Sequence, residues 1–247
     1  MTKPEEILNF LYGKLPDLHD PFIFEEMPQA VERITKAIQS GEHILVYGDN
    51  DVDGMTGTAL LAEFLHFAGA NVHYYVSNRM ALLRQSMILD ALEFALRHRC
   101  SLLITVDCGI TAAEHIAEVV RHDIDVIITD HHEPTDKIPL CVATLNPKLV
   151  TSVYPNRELT GVGVAFKLAC ALTTHLIEEG VLASKKVDLK RYLDLVAIGT
   201  VSDMGILLGE NRILVRYGLQ QLQKTKRIGL ARLLRLCETD ITDTSTS

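Results

Sequence analysis

Between His43 and Thr129 four short apolar runs alternate with stretches of helical periodicity, and this alternation limits the chain to very few folds. The runs are His43 to Tyr47, Val72 to Val76, Leu102 to Val106 and Asp125 to Thr129; the helical patterns are Met55 to Ala68, Met87 to Arg97 and Ala112 to Arg121. Strand and helix in strict turn predict an α/β class, a parallel sheet flanked by helices. A further short strand is expected at Cys141 to Leu145, and helical patterns from Gly163 to Glu179 and onward to the end. Before His43 lie two short helical patterns, Glu5 to Leu11 and Met27 to Gln39, joined by a Pro-, Asp- and His-bearing link. The expected organisation is a helical lead-in at 1–40, a sheet domain at 41–205 and a helical extension at 206–247 with a polar, frayed end.

Composition narrows the function classes. With 247 residues and 47% hydrophobic content the chain can bury a sizeable core. A formal net charge of -8 argues against a general nucleic-acid coat or a binder of anionic membranes, though charge alone does not exclude a nuclease. The five cysteines are odd in number and lack any C-x-x-C, which fits a reducing cytosol. Glu5, Glu6 and Asp17 are unlike a signal peptide, and no uninterrupted apolar stretch approaches membrane-spanning length, so a cytoplasmic protein with no membrane partner is expected.

The chemistry accumulates where the apolar runs end. After the first run Asp49, Asp51 and Asp53 follow at alternate positions, and in an extended segment they would project to one side. Two such charges about 7 Å apart repel by roughly 2 kcal/mol at an effective dielectric of about 20, which favours bound cations or raised pKa values. Asp49 to Gly54 satisfies the first half of a calcium-loop pattern, but the Glu required at the twelfth position is Leu60. A plain acidic turn capping the next helix is the alternative reading. Asp107 follows the third run, Asp130, His131 and His132 follow the fourth, and the apolar stretch Leu193 to Val201 delivers Asp203. Functional groups of open α/β sheets gather outside the carboxyl ends of the strands, so these clusters would share one edge. Carboxylates with one or two imidazoles and no thiolate suit Mn2+ or Mg2+. There are ligands enough for two ions, which roughly 3.5 to 4 Å apart would activate water and clamp a phosphoryl group for hydrolysis. Asp130 is expected to orient an imidazole and not to bind an ion itself.

Weaker candidates are the Gly161 and Gly163 pair, which can bring a helix N-terminus near a phosphate or serve close packing, and Arg79, which can neutralise a phosphate or be solvated. Lys224 to Arg227 reads as a solvated helix end. No P-loop and no G-x-S-x-G is present.

The segments VYGDNDVDGMTG, ITVDCGI, ITDHHEP and GTVSDM, in that order, resemble the four motifs of the DHH phosphoesterase superfamily, with Asp130-His131-His132 as the name-giving triplet. LNPK, YPNRELTGVGVAFKLA and LLGENRILVRYGLQQL further resemble its RecJ branch of single-strand-specific 5′ to 3′ exonucleases. The resemblance implies a two-metal site with Asp49, Asp51, Asp53, His131 and Asp203 as ligands and Asp107 as the bridging carboxylate. It places His132 at the phosphate or second metal and implies release of nucleoside 5′-monophosphates from single-stranded DNA. Two departures stand out: Met80 to Ser86 replaces the branch's usual Gly-Tyr-Gly-type loop, and nothing after Asn211 resembles its smaller second domain. Other readings are a phosphodiesterase or phosphatase for short oligonucleotides or small phosphate esters, and a non-catalytic scaffold in a repair or replication complex. A partner protein or further domain would then complete the substrate site.

Overall fold

The computed structural model describes residues 10–76, 87–183 and 187–237. The predicted strands are β1 (His43–Gly48), β2 (Asn71–Val76), β3 (Cys100–Val106) and β4 (Asp125–Thr129), with a three-residue β5 (Ala143–Leu145). All are parallel, in the order β2-β1-β3-β4-β5. The helices are α1 (Met27–Ser40), α2 (Val52–Phe67), α3 (Met87–Arg97), α4 (Ala113–Arg121), α5 (Gly161–Glu178), α6 (Leu193–Ser202), α7 (Gly209–Leu222) and α8 (Ile228–Leu236). The expected helix Glu5 to Leu11 falls largely outside the described residues, as does Arg79 with the loop 80–86.

Strand side chains alternate between two cores. Ile44, Val46, Leu102, Ile104, Val106 and Ile127 pack with residues of α1, α2, α5 and α6, whereas Leu45, Tyr47, Leu103, Val126 and Ile128 pack with α3 and α4. Burial on both faces is why the runs are uniformly apolar, each such side chain contributing about 1.5–3 kcal/mol. From β1 the chain passes through α2 to β2 on one side and then returns to β3 on the other. The strand order therefore reverses between β1 and β3, and that crevice is where open α/β sheets receive ligands.

Helix α5 is long and apolar enough by composition to cross a membrane, yet 67% of it is buried inside the fold, as befits a core helix. The lead-in and α7 are tied to it by a buried ion pair: Lys167 Nζ lies 2.5 Å from Glu210 Oε1 and donates to the carbonyl of His19 at 2.7 Å. Tyr154 Oη and the His19 amide also donate to Glu210, at 2.6 and 2.8 Å. With each charge multiply bonded, the pair is tolerated where a lone charge would cost several kcal/mol.

Two expectations are corrected. Leu193 to Val201 does not deliver Asp203 from a strand end; it belongs to α6, whose Leu193, Leu195, Val196, Ala197, Gly199 and Thr200 are buried. A short helix covered on nearly all sides has no polar face, so its apolar run imitates a buried strand. Nor is Arg227 a solvated helix end, since its guanidinium bonds Glu63 and, at 3.2 Å, Asp194 Oδ1.

Candidate metal centre

The acidic triplet after β1 converges differently from the expected extended alternation, because α2 begins at Val52. Asp51 is its N-cap, accepting from the Gly54 amide at 2.9 Å, so the capping reading holds for this residue. Asp53 sits within the first helical turn and is 1% exposed. Its Oδ2 accepts from the Gly161 amide at 2.7 Å and its Oδ1 from Val162 at 2.9 Å. These are the first two amides of α5, which lack intrahelical partners and favour negative charge. Asp49 follows β1 directly and hydrogen-bonds through its amide to the carbonyl of Val106 at 3.2 Å.

Asp107, just beyond β3, has φ of +61°, a left-handed conformation that Asp tolerates better than most residues. His131 Nε2 lies 3.0 Å from Asp107 Oδ1, 3.7 Å from Asp203 Oδ2 and 3.9 Å from Asp53 Oδ2. The 3.0 Å approach is off the line a hydrogen bond needs. Both Asp107 oxygens and His131 Nε2 are thus buried without a hydrogen-bond partner among the described residues. Three buried acceptor-capable atoms aimed at shared space fit divalent cations, since leaving them unpaired costs roughly 1–3 kcal/mol each. Three groupings have donor atoms within 4.8 Å of one another: Asp107, His131 and His132; Asp53, His131 and Asp203; and Asp49, Asp51 and Asp107.

Asp130 lies behind this set. Its Oδ1 accepts from the His131 amide (2.7 Å), the His132 amide (3.0 Å) and His132 Nδ1 (2.7 Å), and its Oδ2 from the Ile110 amide at 2.9 Å. Burial opposes its charge, but the His132 hydrogen bond and charge and the backbone amides outweigh it and hold Asp130 below the usual carboxylate range. In return the Asp130 hydrogen bond pushes His132 up to about 9.

Gly161 and Gly163 are closely packed within the fold. The Gly161 amide is used by Asp53, and a Cβ there would stand 2.5 Å from Asp107 Oδ1, while a Cβ on Gly163 would meet Leu159 at 2.6 Å. Both are buried, so close packing accounts for them. Residues missed in the sequence are Asn146, Thr160 and Thr200. Fully buried Asn146 donates from Nδ2 to the His132 carbonyl at 2.9 Å and accepts from the Lys148 amide at 2.7 Å. The Thr160 and Thr200 hydroxyls, 3.0 Å apart, join the start of α5 to α6. Only the Asn-Pro step after β5 offered a signal for any of the three.

Burial, then the neighbouring Asp107, raises Asp53; burial, then Asp51, raises Asp107. Protonated in the fold and ionised in the unfolded chain between about pH 4 and about pH 8 to 9, these groups bind more protons in the native state. Stability of the metal-free protein is therefore expected to fall as pH rises through that window. Mn2+ should offset the loss, raising the thermal midpoint more at pH 8.5 than at pH 5.5. A metal-induced rise that is equal at both pH values would contradict this coupling.

Against known proteins, the family model described as DHH family, N-terminal domain matches residues 43–200. The single-stranded-DNA-specific exonuclease RecJ of Bacillus subtilis (strain 168) is 41% identical over 235 residues, spanning 94% of this chain and 28% of the relative. The Escherichia coli (strain K12) protein of the same description is 36% identical over 217 residues, 86% of this chain and 37% of its own. The chain thus spans well under half the length of these curated relatives. A crystal structure of exonuclease RecJ bound to manganese superposes with a TM-score of 0.74 at 32% identity, covering 87% of this chain and 53% of that one. The family-model match runs from β1 into α6 and takes in every carboxylate and imidazole of the metal centre except Asp203, three residues beyond its limit. This chain belongs to the DHH family.

Proposed function

We propose that this chain is the catalytic core of a two-metal, 5′ to 3′ single-stranded-DNA exonuclease of the RecJ kind. The observation that carries the reading is the convergence on Asp107 and His131, whose buried donor atoms have no hydrogen-bond partner among the described residues. Asp53, His131 and Asp203 would hold one Mn2+ or Mg2+, and Asp49 and Asp51 would supply donors for a second, with Asp107 shared. Bound there, such ions supply Lewis-acid polarisation of the phosphate and an activated water.

The protein's own groups do the rest. Asp53 is fixed by the α5 amides, so its carboxylate meets the site already oriented. Asp130 and Asn146 grip His132 at its ring and its carbonyl, leaving a half-exposed imidazole that faces the entering strand. Held cationic by Asp130, His132 donates to a non-bridging phosphate oxygen. Arg79 is assigned to a neighbouring phosphate. Much of the strand-binding surface belongs to a further domain or partner protein reached through 206–247, and the setting is cytoplasmic.

The acidic net charge of -8 favours a second reading, in which very short oligonucleotides are the substrates. End-labelled single strands and two- to five-nucleotide oligomers, each with Mn2+, Mg2+ or EDTA, separate the two. The exonuclease reading expects mononucleotides from 5′ ends of long strands, abolished by EDTA. Preference for the short oligomers supports the second. Folded, manganese-binding protein with no metal-dependent turnover on either contradicts both.

A further inference from the structure

Three imidazoles gather at the opposite edge of the sheet, where β1 and β2 begin. His43 opens β1, and its register partner is Asn71, so His43 and His73 stand two residues apart on one sheet face. Helix α3 covers that face and ends at Arg97, which brings His98 to the same corner. His43 Nδ1 is 3.2 Å from His73 Nε2, with ring centres 5.3 Å apart. The His73 and His98 ring centres are 4.7 Å apart.

Those spacings have a chemical meaning. Two imidazoles on one tetrahedral zinc ion, each nitrogen about 2.0–2.1 Å from it, have donor atoms about 3.3 Å apart and ring centres about 5.2 Å apart. The His43–His73 pair has that spacing in a hydrogen bond, which a bound ion would replace. His98 stacks on Phe94 with ring centres 4.2 Å apart, and its nitrogens would reach the pair by rotation about its own side-chain bonds. His43 is exposed and the other two half-buried, so ions reach them from solvent. Burial and the adjoining His98 and His43 hold His73 below the usual imidazole range, which keeps it neutral at neutral pH.

We propose that His43, His73 and His98 form a second metal site, selective for a zinc-class divalent cation, that staples the starts of β1 and β2 to the end of α3. Its all-imidazole donors suit zinc, nickel or copper, in contrast to the carboxylate-rich centre at the other edge. The competing account is packing alone, an aromatic ladder from Tyr47 through Tyr75, Phe94 and His98 to His73.

The test titrates Zn2+ into the full chain carrying Asp107→Ala and His131→Ala, which disables the first centre, and counts retained zinc by elemental analysis. About one zinc per chain is expected, and adding His73→Phe, which keeps a ring in the ladder, should weaken binding at least about tenfold. Equal zinc retention with and without His73→Phe overturns the proposal. Should the background variant not fold, the intact chain saturated with Mg2+ gives the same decision. Its His43, His73 and His98 ring-proton resonances shift on adding Zn2+ if the site exists and stay in place if only the ladder does. Neither readout is turnover, so this site stands or falls apart from the exonuclease reading.

Discussion

Asp107→Asn is expected to lower metal-dependent turnover at least about 10³-fold, roughly 4 kcal/mol of transition-state stabilisation, while leaving a folded protein. Asp107 Oδ1 lies 3.0 Å from His131 Nε2, a donor of one ion position, and Asp107 groups with Asp49 and Asp51 at the other, so an amide there should weaken both at once. The same change should make the metal-free chain more stable than wild type by an amount that grows as pH rises from about 4 to about 9. Asp107 is 1% exposed and kept from ionising by burial and by Asp51, and a neutral side chain escapes that cost, on the order of 1 kcal/mol or more. The thermal midpoint should therefore rise without metal and cease to respond to Mn2+. Loss of activity with an unchanged response to Mn2+ would show that Asp107 is no shared ligand.

Gly161→Ala should be nearly as damaging, against the ordinary preference of helices for Ala over Gly by about 1 kcal/mol. The added methyl would lie 2.5 Å from Asp107 Oδ1 and 2.6 Å from its Cβ. Relief requires either α5 or Asp107 to move, and α5 carries the two amides that hold Asp53. Overpacking of this kind costs about 1–3 kcal/mol, and a displacement near 1 Å at such a centre costs about 10²-fold in rate. Gly229→Ala in α8, with nothing within 4 Å, is the control and should be neutral or slightly stabilising. Denaturant midpoints and single-turnover rates of the two variants measure the difference. Full activity in Gly161→Ala would mean that the Asp107 approach is looser than the structure shows.

The parallel sheet was legible because β1, β3 and β4 are buried on both faces, and the helices between them carry periodic apolar stripes. Asp107 and His131 were legible for a related reason: strand ends are positions that topology brings together. Asp53 was found for a partly wrong reason, since it reaches the site from the first turn of α2 and not along an extended segment. Asp203 was assigned to the wrong kind of element because α6 presents almost no polar face. Asn146, Thr160 and Thr200 act through backbone and hydroxyl contacts between segments remote in sequence, for which local pattern offers no signal. The sequence left the α5 N-terminus open between a phosphate and close packing, and its use by Asp53 comes from a residue more than 100 positions away. Among the described residues every carboxylate and imidazole expected at the site lies in the metal groupings except Asp130, which orients His132.

The central claim is that Asp107 is shared between two ion positions, and Mn2+ titration followed by calorimetry or by the electron paramagnetic resonance of free Mn2+ tests it most directly. The wild-type chain should bind two Mn2+ per chain, and Asp107→Asn should weaken both. A single Mn2+ in the wild-type chain, or one site left at full affinity in Asp107→Asn, would contradict a shared carboxylate.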